Sequence, residues 1–313
     1  MSKILITGGA GYLGSTITTH FVKLGYKVTV IDNFLYNKNS LDHLKKNINL
    51  NVIEGDVRDK DIYKKFISQN DVIFPLAGIV GAPLCDKLKN EATDVNEIAI
   101  KELADQISQN QIIIFPTTNS GYGTTSKDVI CTEEMELNPI SHYGVTKVNA
   151  EKYLSNKQNF ISLRLATVFG ISFRNRFDLL VNFFVYNAVK SKKIVLFEPN
   201  FRRNYIHVKD IAYTFEHCLL NFNLMKNTVF NVGLSEANLT KLELCKLIKK
   251  YIPEFSITIS TKGEDPDKRD YFVSNEKIEK TNWRPRVTID DGIKELIQNF
   301  SNLKDENYDR NYL

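Results

Sequence analysis

The feature that most restricts what this chain can become is a glycine spacing near its start. An apolar run, Lys3–Thr7, leads straight into Gly8-Gly9-Ala10-Gly11-Tyr12-Leu13-Gly14, and a helical pattern follows over Tyr12–Leu24. The three spaced glycines have separate physical duties. Gly8 lets the chain turn sharply off a strand. Gly11 lets the backbone approach a pyrophosphate with no Cβ in the way, and Gly14 lets the helix lie close to the strand. The first helical turn then offers N–H groups and a partial positive charge to phosphate. Such a spacing is weak when isolated. Between a strand and a helix, at the head of a βαβ unit, it predicts a dinucleotide-binding turn.

The rest of the first half agrees with that start. Short apolar runs begin at Lys27, Asn51, Asp71, Ile112 and Ile161, and helical patterns cover Asp59–Ser68, Glu91–Gln109 and Ser141–Leu154 between them. The runs lack alternation, so each reads as a strand buried on both faces. Strand and helix repeated in this way predict an α/β fold, a Rossmann-type doubly wound parallel sheet. Beyond Phe169 the pattern loosens. It gives a helix at Leu179–Lys190, a strand from Ile194, the segment FRRNYIHVKD, a helix at Val208–Leu220 and a strand from Val229. A helix at Leu239–Ile252 and a last strand from Ser256 follow. The expected division is a dinucleotide-binding domain over 1–169, with 204–224 packing back on it. Segments 170–203 and 225–304 would form a smaller C-terminal substrate lobe, and the polar stretch 305–313 a flexible tail.

Composition narrows the function classes. With 41 basic and 37 acidic residues and no basic stripe, nucleic-acid binding is not expected. No apolar run approaches the ~20 residues that span a membrane, and the opening MSKILITGG reads as a strand rather than a signal peptide. Cys85, Cys131, Cys218 and Cys245 are far apart and form no CxxC pair, so neither a metal site nor a disulfide framework is expected. A cytoplasmic, reducing setting follows.

The candidate chemistry lies at the strand ends. Asp32 closes the second strand, where a carboxylate accepts hydrogen bonds from both adenosine ribose hydroxyls and repels a 2′-phosphate. That favours NAD over NADP, the alternative being a carboxylate that only caps a turn. Asp56 is placed to meet an adenine amine, or equally to open a helix. In Ser141–Lys147, Tyr143 and Lys147 stand at i and i+4 on one helix face. A tyrosine ordinarily ionises near ~10. A lysine ammonium and a positive nicotinamide ring beside it favour the phenolate, which takes a proton from a substrate hydroxyl as hydride leaves the same carbon. The fifth strand ends in Pro116-Thr-Thr-Asn-Ser-Gly-Tyr-Gly123, and Thr118 is the hydroxyl chosen to share that proton.

Taken together, TGGAGYLG, Leu76-Ala77-Gly78, Val95-Asn96, TTNSGYG, YGVTK, LRLATVFG, RNYIHVKD and Asn231-Val-Gly233 resemble the extended short-chain dehydrogenase/reductases, the sugar-nucleotide epimerases and dehydratases. The resemblance covers nearly the whole chain. It implies Tyr143 as acid/base, Lys147 as its partner and Thr118 at the catalytic Ser/Thr position. Around the cofactor it implies Gly8, Gly11, Tyr12, Leu13, Gly14, Asp32, Asn33, Asp56, Val57, Leu76, Ala77, Gly78, Asn96, Thr117 and Leu165. Near the sugar nucleotide it implies Asn119, Ser120, Thr167, Asn182, Arg203 and Arg269. Arg269 sits in DPDKRDY, which departs from the family's RxGD spelling, and a surface salt bridge is the alternative for it. The family also implies a homodimer through Glu91–Gln109 and Ser141–Leu154, which carry Ile98, Leu103 and Ile107 beyond the needs of one sheet face.

The departures bear on the reaction. Family dehydratases place an Asp-Glu pair after the catalytic Thr, and here Asn119 and Ser120 cannot act as a carboxylate acid and base. Cys85 reads as a packed thiol more readily than as an acid–base group. His142 and His207 read as structural. Oxidation at sugar C4 is the leading expectation. The segments IVGAPLCDK, TTNSGYG, FRRNYIHV and GEDPDKRDY resemble the GDP-heptose C4-dehydrogenases of Campylobacter capsule synthesis, which makes a GDP-linked sugar favoured over a UDP-linked one. NADH recycling by 2-oxoglutarate, its carboxylate held by Arg203, is a further expectation. C4 epimerisation and a non-enzymatic dinucleotide sensor are the alternatives.

Overall fold

A computed structural model describes residues 2–36, 38–260 and 269–303, so the expected tail lies outside the described residues. Its centre is an all-parallel sheet of seven strands: β1 (Lys3–Thr7), β2 (Lys27–Asp32), β3 (Leu50–Glu54), β4 (Val72–Pro75), β5 (Ile112–Thr118), β6 (Phe160–Leu165) and β7 (Thr228–Val232). Their spatial order is β7-β6-β5-β4-β1-β2-β3. The order reverses between β1 and β4, and α/β sheets bind ligands at such a switch point.

Helices cover both faces because successive side chains of each strand point opposite ways. Leu5, Ile31, Ile73, Ile113 and Phe115 meet α2 (Lys60–Ile67), α3 (Ala99–Gln106) and α4 (His142–Leu154). Ile4, Ile6, Val28, Val30, Phe74 and Ile114 join the opposite core with α1 (Tyr12–Lys23), α5 (Leu180–Lys190), α6 (Val208–Leu220) and α7 (Lys241–Tyr251). α6 packs against α1. Smaller sheets build the other lobe. Arg202–His207 runs parallel to Thr167–Phe169 and antiparallel to Asn238–Thr240, and Lys193–Leu196 pairs with Ser256–Ile259. Among the described residues no helix is long and apolar enough to cross a membrane.

Several elements differ from the sequence reading. β3 is not buried on both faces: it is an edge strand with β2 as its neighbour, and Asn51 and Val52 are exposed. The expected helix Glu91–Gln109 is broken. Short helices Ala82–Lys87 and Lys89–Thr93 precede a π-helical turn, Asp94–Ile98, and only then comes α3. That turn carries Asn96, whose amide Nδ2 donates to Ile79 O (2.8 Å) and whose Oδ1 accepts from Ile79 N (2.9 Å). Leu103 is fully buried in the chain's own core and Ile107 packs against it, so only Ile98 of the three apolar candidates is exposed. β7, expected in the substrate lobe, instead closes the main sheet in register with β6, Phe230 opposite Leu163.

A helix that the sequence reading passed over, α8 (Ile289–Ser301), packs on α5. Thr288 caps it, Oγ1 accepting from Asp291 N at 3.1 Å, and Ile289, Ile293, Leu296 and Phe300 form its buried stripe. Leu296→Ala is expected to destabilise the chain by about 2–5 kcal/mol, because the lost side chain leaves a cavity that its neighbours only partly fill. Denaturant unfolding of the two proteins measures this, and a change well under that range would mean that α8 is loosely packed.

Candidate active site

The strand ends on the carboxyl edge of the sheet surround a cavity of about 540 Å³. At its floor, Gly8 has φ +68°, and a Cβ there would come within 2.6 Å of Ala77 N. A Cβ on Gly14 would lie 2.0 Å from Gly8 O, so α1 approaches β1 as only glycine permits. Gly11 begins α1 with no side chain capping it. The first turn of α1 therefore faces the cavity with backbone N–H groups, the cradle a dinucleotide pyrophosphate needs. Asp32 accepts from Ala10 N (2.9 Å) and Phe34 N (2.8 Å), one bond to each oxygen, which leaves both oxygens able to accept again. Burial raises its carboxyl above the usual range. Asp56 is forked by Arg58, Nε to Oδ1 and Nη2 to Oδ2 at 2.8 Å each, and that pairing lowers it to about 2.

Opposite lies the reacting end. Ser141 caps α4, its Oγ accepting from Gly144 N at 3.2 Å, and this sets Tyr143 and Lys147 on the cavity wall. Burial pushes the Tyr143 phenol up to about 12, and Arg269, Arg176 and a hydrogen bond from Thr118 pull the other way. Arg269 and Arg176 thus add positive charge near the phenol, and Lys147 stands one turn along the same helix. Lys147 is itself lowered to about 7 by burial, against the opposing pull of Glu151 one turn on. Its Nζ lies 4.1 Å from the Phe115 ring centre. Thr118 Oγ1 accepts from Ser120 N (3.1 Å) and shares a hydrogen bond with Ser120 Oγ (2.8 Å).

Most of the candidates meet here. Gly8, Gly11, Tyr12, Leu13, Gly14, Asp32, Asn33, Asp56, Val57, Leu76, Ala77, Gly78, Asn96, Thr117, Thr118, Ser120, Tyr143, Lys147, Leu165, Thr167 and Arg269 all line the cavity. Three candidates do not. Asn182 spends its amide on Gly170 N, Gly170 O and Arg176 O. Arg203 is buried, its guanidinium 5.4 Å from the Tyr271 ring centre and Nη1 donating to Arg202 O, and it is not part of this cavity wall. Asn119 is buried while its neighbours Thr118 and Ser120 take the wall. Cys85 is a buried thiol donating to Ile79 O at 3.1 Å and pushed up to about 12 by burial, which suits a packed group rather than an acid–base one. His142 bonds Thr93 and Lys89 O, and His207 bonds Glu295, as structural histidines do. The sequence reading missed Tyr36, Arg58, Arg174, Arg176 and Tyr271 on the wall. The two arginines of FRNRFD follow a strand end, which was the available signal.

Comparison with known proteins decides the kinship. The model of the NAD dependent epimerase/dehydratase family matches residues 4–233. The chain belongs to that family. It is accordingly an NAD-dependent enzyme, and the glycine cradle with Asp32 fits that cofactor. The CDP-paratose 2-epimerase of Salmonella typhi is 26% identical over 333 residues, 94% of this chain and 98% of that protein. The structure of Thermotoga maritima UDP-glucose 4-epimerase with UDP-glucose is 25% identical, with a TM-score of 0.83 over 95% of this chain and 98% of that one. The Bacillus cereus UDP-glucuronic acid 4-epimerase, solved with UDP-glucuronic acid and NAD, shares the fold at 23% identity, with a TM-score of 0.83 over 95% of this chain and 98% of that one.

Lys147 gives a pH-dependent test of the buried site. A lysine whose folded pKa lies below its unfolded value costs stability. The cost is full below the folded value of about 7 and fades as pH rises toward the ordinary lysine value of 10.5. Lys147→Met is therefore expected to stabilise the chain near neutral pH, with a gain that shrinks at about pH 10. Denaturant midpoints at both pH values check it, and a pH-independent difference would contradict it.

Proposed function

We propose that this enzyme oxidises C4 of a nucleotide-linked sugar to a ketone. The observation that carries the reading is where the carboxylates are. Among the described residues, those on the cavity wall are Asp32, Asp56 and Glu91. Asp32 and Asp56 belong to the ends of β2 and β3, and Glu91 acts on Arg58, the partner of Asp56. All three thus serve the adenosine side. Beside Thr118 stand Asn119 and Ser120, so among the described residues no carboxylic acid stands next to Tyr143 to expel water from a keto sugar. The chemistry left to these side chains is proton removal from the C4 hydroxyl by Tyr143, with Thr118 orienting that hydroxyl and Lys147, Arg176 and Arg269 supplying positive charge. Bound NAD would supply the hydride acceptor for C4, and in this reading a 2-oxo acid such as 2-oxoglutarate would take up that hydride, with a proton from Tyr143, to give the 2-hydroxy acid.

The narrower form of the reading is oxidation of GDP-D-glycero-D-manno-heptose to its 4-keto form in capsule polysaccharide biosynthesis. Its support is the resemblance of IVGAPLCDK, TTNSGYG, FRRNYIHV and GEDPDKRDY to GDP-heptose C4-dehydrogenases. C4 epimerisation is the second reading, favoured by the likeness to the Thermotoga 4-epimerase. A panel of GDP- and UDP-linked sugars, with and without 2-oxoglutarate, separates them by mass spectrometry. A keto sugar lighter by two hydrogens, formed together with 2-hydroxyglutarate, is expected. A C4 epimer of unchanged mass formed without added oxidant would replace the first reading by the second. Tyr143→Phe is expected to lower turnover by ~10²–10⁴-fold while retaining NAD.

The same reading includes a homodimer. Its support is the exposure of Ile98 in the π-helical turn and of Val145 on neighbouring α4. Light scattering at micromolar protein is expected to give the mass of two chains, and a single-chain mass would refute the pairing.

A further inference from the structure

The segment Gly170–Asp178 crosses from the end of the short strand Thr167–Phe169 to α5 and is fastened along its length. At its start, Gly170 has φ +109° and its carbonyl accepts from the Tyr12 hydroxyl at 2.9 Å. Ser172 is tied to α1 three times. Its Oγ donates to Tyr12 O (2.7 Å), shares a hydrogen bond with Ser15 Oγ (2.9 Å) and accepts from Thr16 Oγ1 (3.0 Å). Phe173 stacks on His43 with ring centres 3.7 Å apart. Asn182 clasps both ends, its Oδ1 accepting from Gly170 N and its Nδ2 donating to Arg176 O.

These ties fix two arginines over the glycine-rich turn. Arg174 and Arg176 line the same cavity as Gly11, Tyr12 and Leu13. Arg176 is engaged by Asp178 in a buried ion pair. Arg174 lies with its guanidinium 4.4 Å from the Tyr36 ring centre, and its charge helps to hold the Asp32 carboxyl down against burial. Arg174 is therefore close to both the adenosine ribose position and the start of α1. A guanidinium held over an aromatic ring is partly pre-organised, and its fork of N–H donors matches phosphate oxygens.

We propose that residues 170–178 form a strap across the cofactor and that Arg174 is a cofactor-binding residue. In this arrangement it would pair with the pyrophosphate of NAD beside the start of α1, and Ser172 is the fastening that keeps it there. The backbone N–H groups of α1 and the Arg174 cation would thus both hold the pyrophosphate. Release of the dinucleotide then requires the strap to leave α1. The proposal rests on the NAD assignment alone and not on the sugar or the reaction.

The test is cofactor release, measured without any sugar. Purified wild type, Arg174→Gln and Ser172→Ala are loaded with labelled NAD, and exchange against excess unlabelled NAD is followed by filtration. Loss of a charge-assisted phosphate contact is expected to speed release from Arg174→Gln by roughly 10-fold or more. Ser172→Ala keeps the guanidinium but unties the strap, and a several-fold faster release is expected there. A wild-type release rate in Arg174→Gln overturns the role of Arg174. Should that variant not fold, Ser172→Ala decides the matter, and a wild-type rate there overturns the strap. The sugar-panel experiment can fail with these rates unchanged, so the two readings fall separately.

Discussion

The ion pair between Glu151 and Arg164 holds the reacting end of this enzyme in place. Both side chains are buried, and Arg164 donates to Glu151 Oε1 through Nη2 at 2.7 Å and Nε at 3.0 Å. Thr117 on β5 donates to Glu151 Oε2 at 2.7 Å. Arg164 Nη1 donates to the Tyr122 hydroxyl, which donates in turn to Asn231 Oδ1 on β7. One carboxylate on α4 is thus wired to β5, β6 and β7. Removing one member of such a pair strands a buried charge, which costs about 3–5 kcal/mol. Tyr143, Lys147 and Glu151 follow each other at intervals of four on α4, so the network that holds Glu151 also sets where the other two stand.

That placement creates the electrostatics of the site. Glu151 lies too deep to meet substrate, yet its charge opposes the loss of the Lys147 proton. Arg176 and Arg269 arrive from the other lobe and act on Tyr143. The Rossmann half thus brings Thr118, Tyr143 and Lys147 to the cavity wall, and the second half brings Arg176 and Arg269. Neither half is a complete site.

The Rossmann part was legible because local rules govern it. Gly8, Gly11 and Gly14 answer close approaches that no other residue tolerates, and Asp32 and Thr118 sit at strand ends recognisable from apolar runs. What the sequence hid depends on distant partners. Nothing near Arg203 says that it would be buried beside Tyr271 and off the cavity wall, and nothing near Asn182 says that Gly170 would consume its amide. The run beginning at Asn51 looked buried because its composition matches the central strands, and only its place at the sheet edge makes it otherwise. The π-helical turn at Asn96 answers to the backbone of Ile79, which lies far away in sequence. Arg174 and Arg176 reach the cavity because Ser172 ties their segment to α1, a contact that nothing local in the sequence announces.

The position of β7 carries a consequence for how the chain is made. β6 (Phe160–Leu165) is fully buried, yet its outer partner comes from residues 228–232. A ribosome that has released only the first half of the chain has therefore exposed an apolar strand with one row of backbone groups unpaired, the template on which chains pair wrongly. The sheet stays open on that side while the strap, α5 and α6 are synthesised, and it closes when β7 arrives. The family match ends at residue 233, one residue beyond that closing strand. The shared unit of this family is in that sense the shortest length of chain whose sheet has no unfinished inner edge.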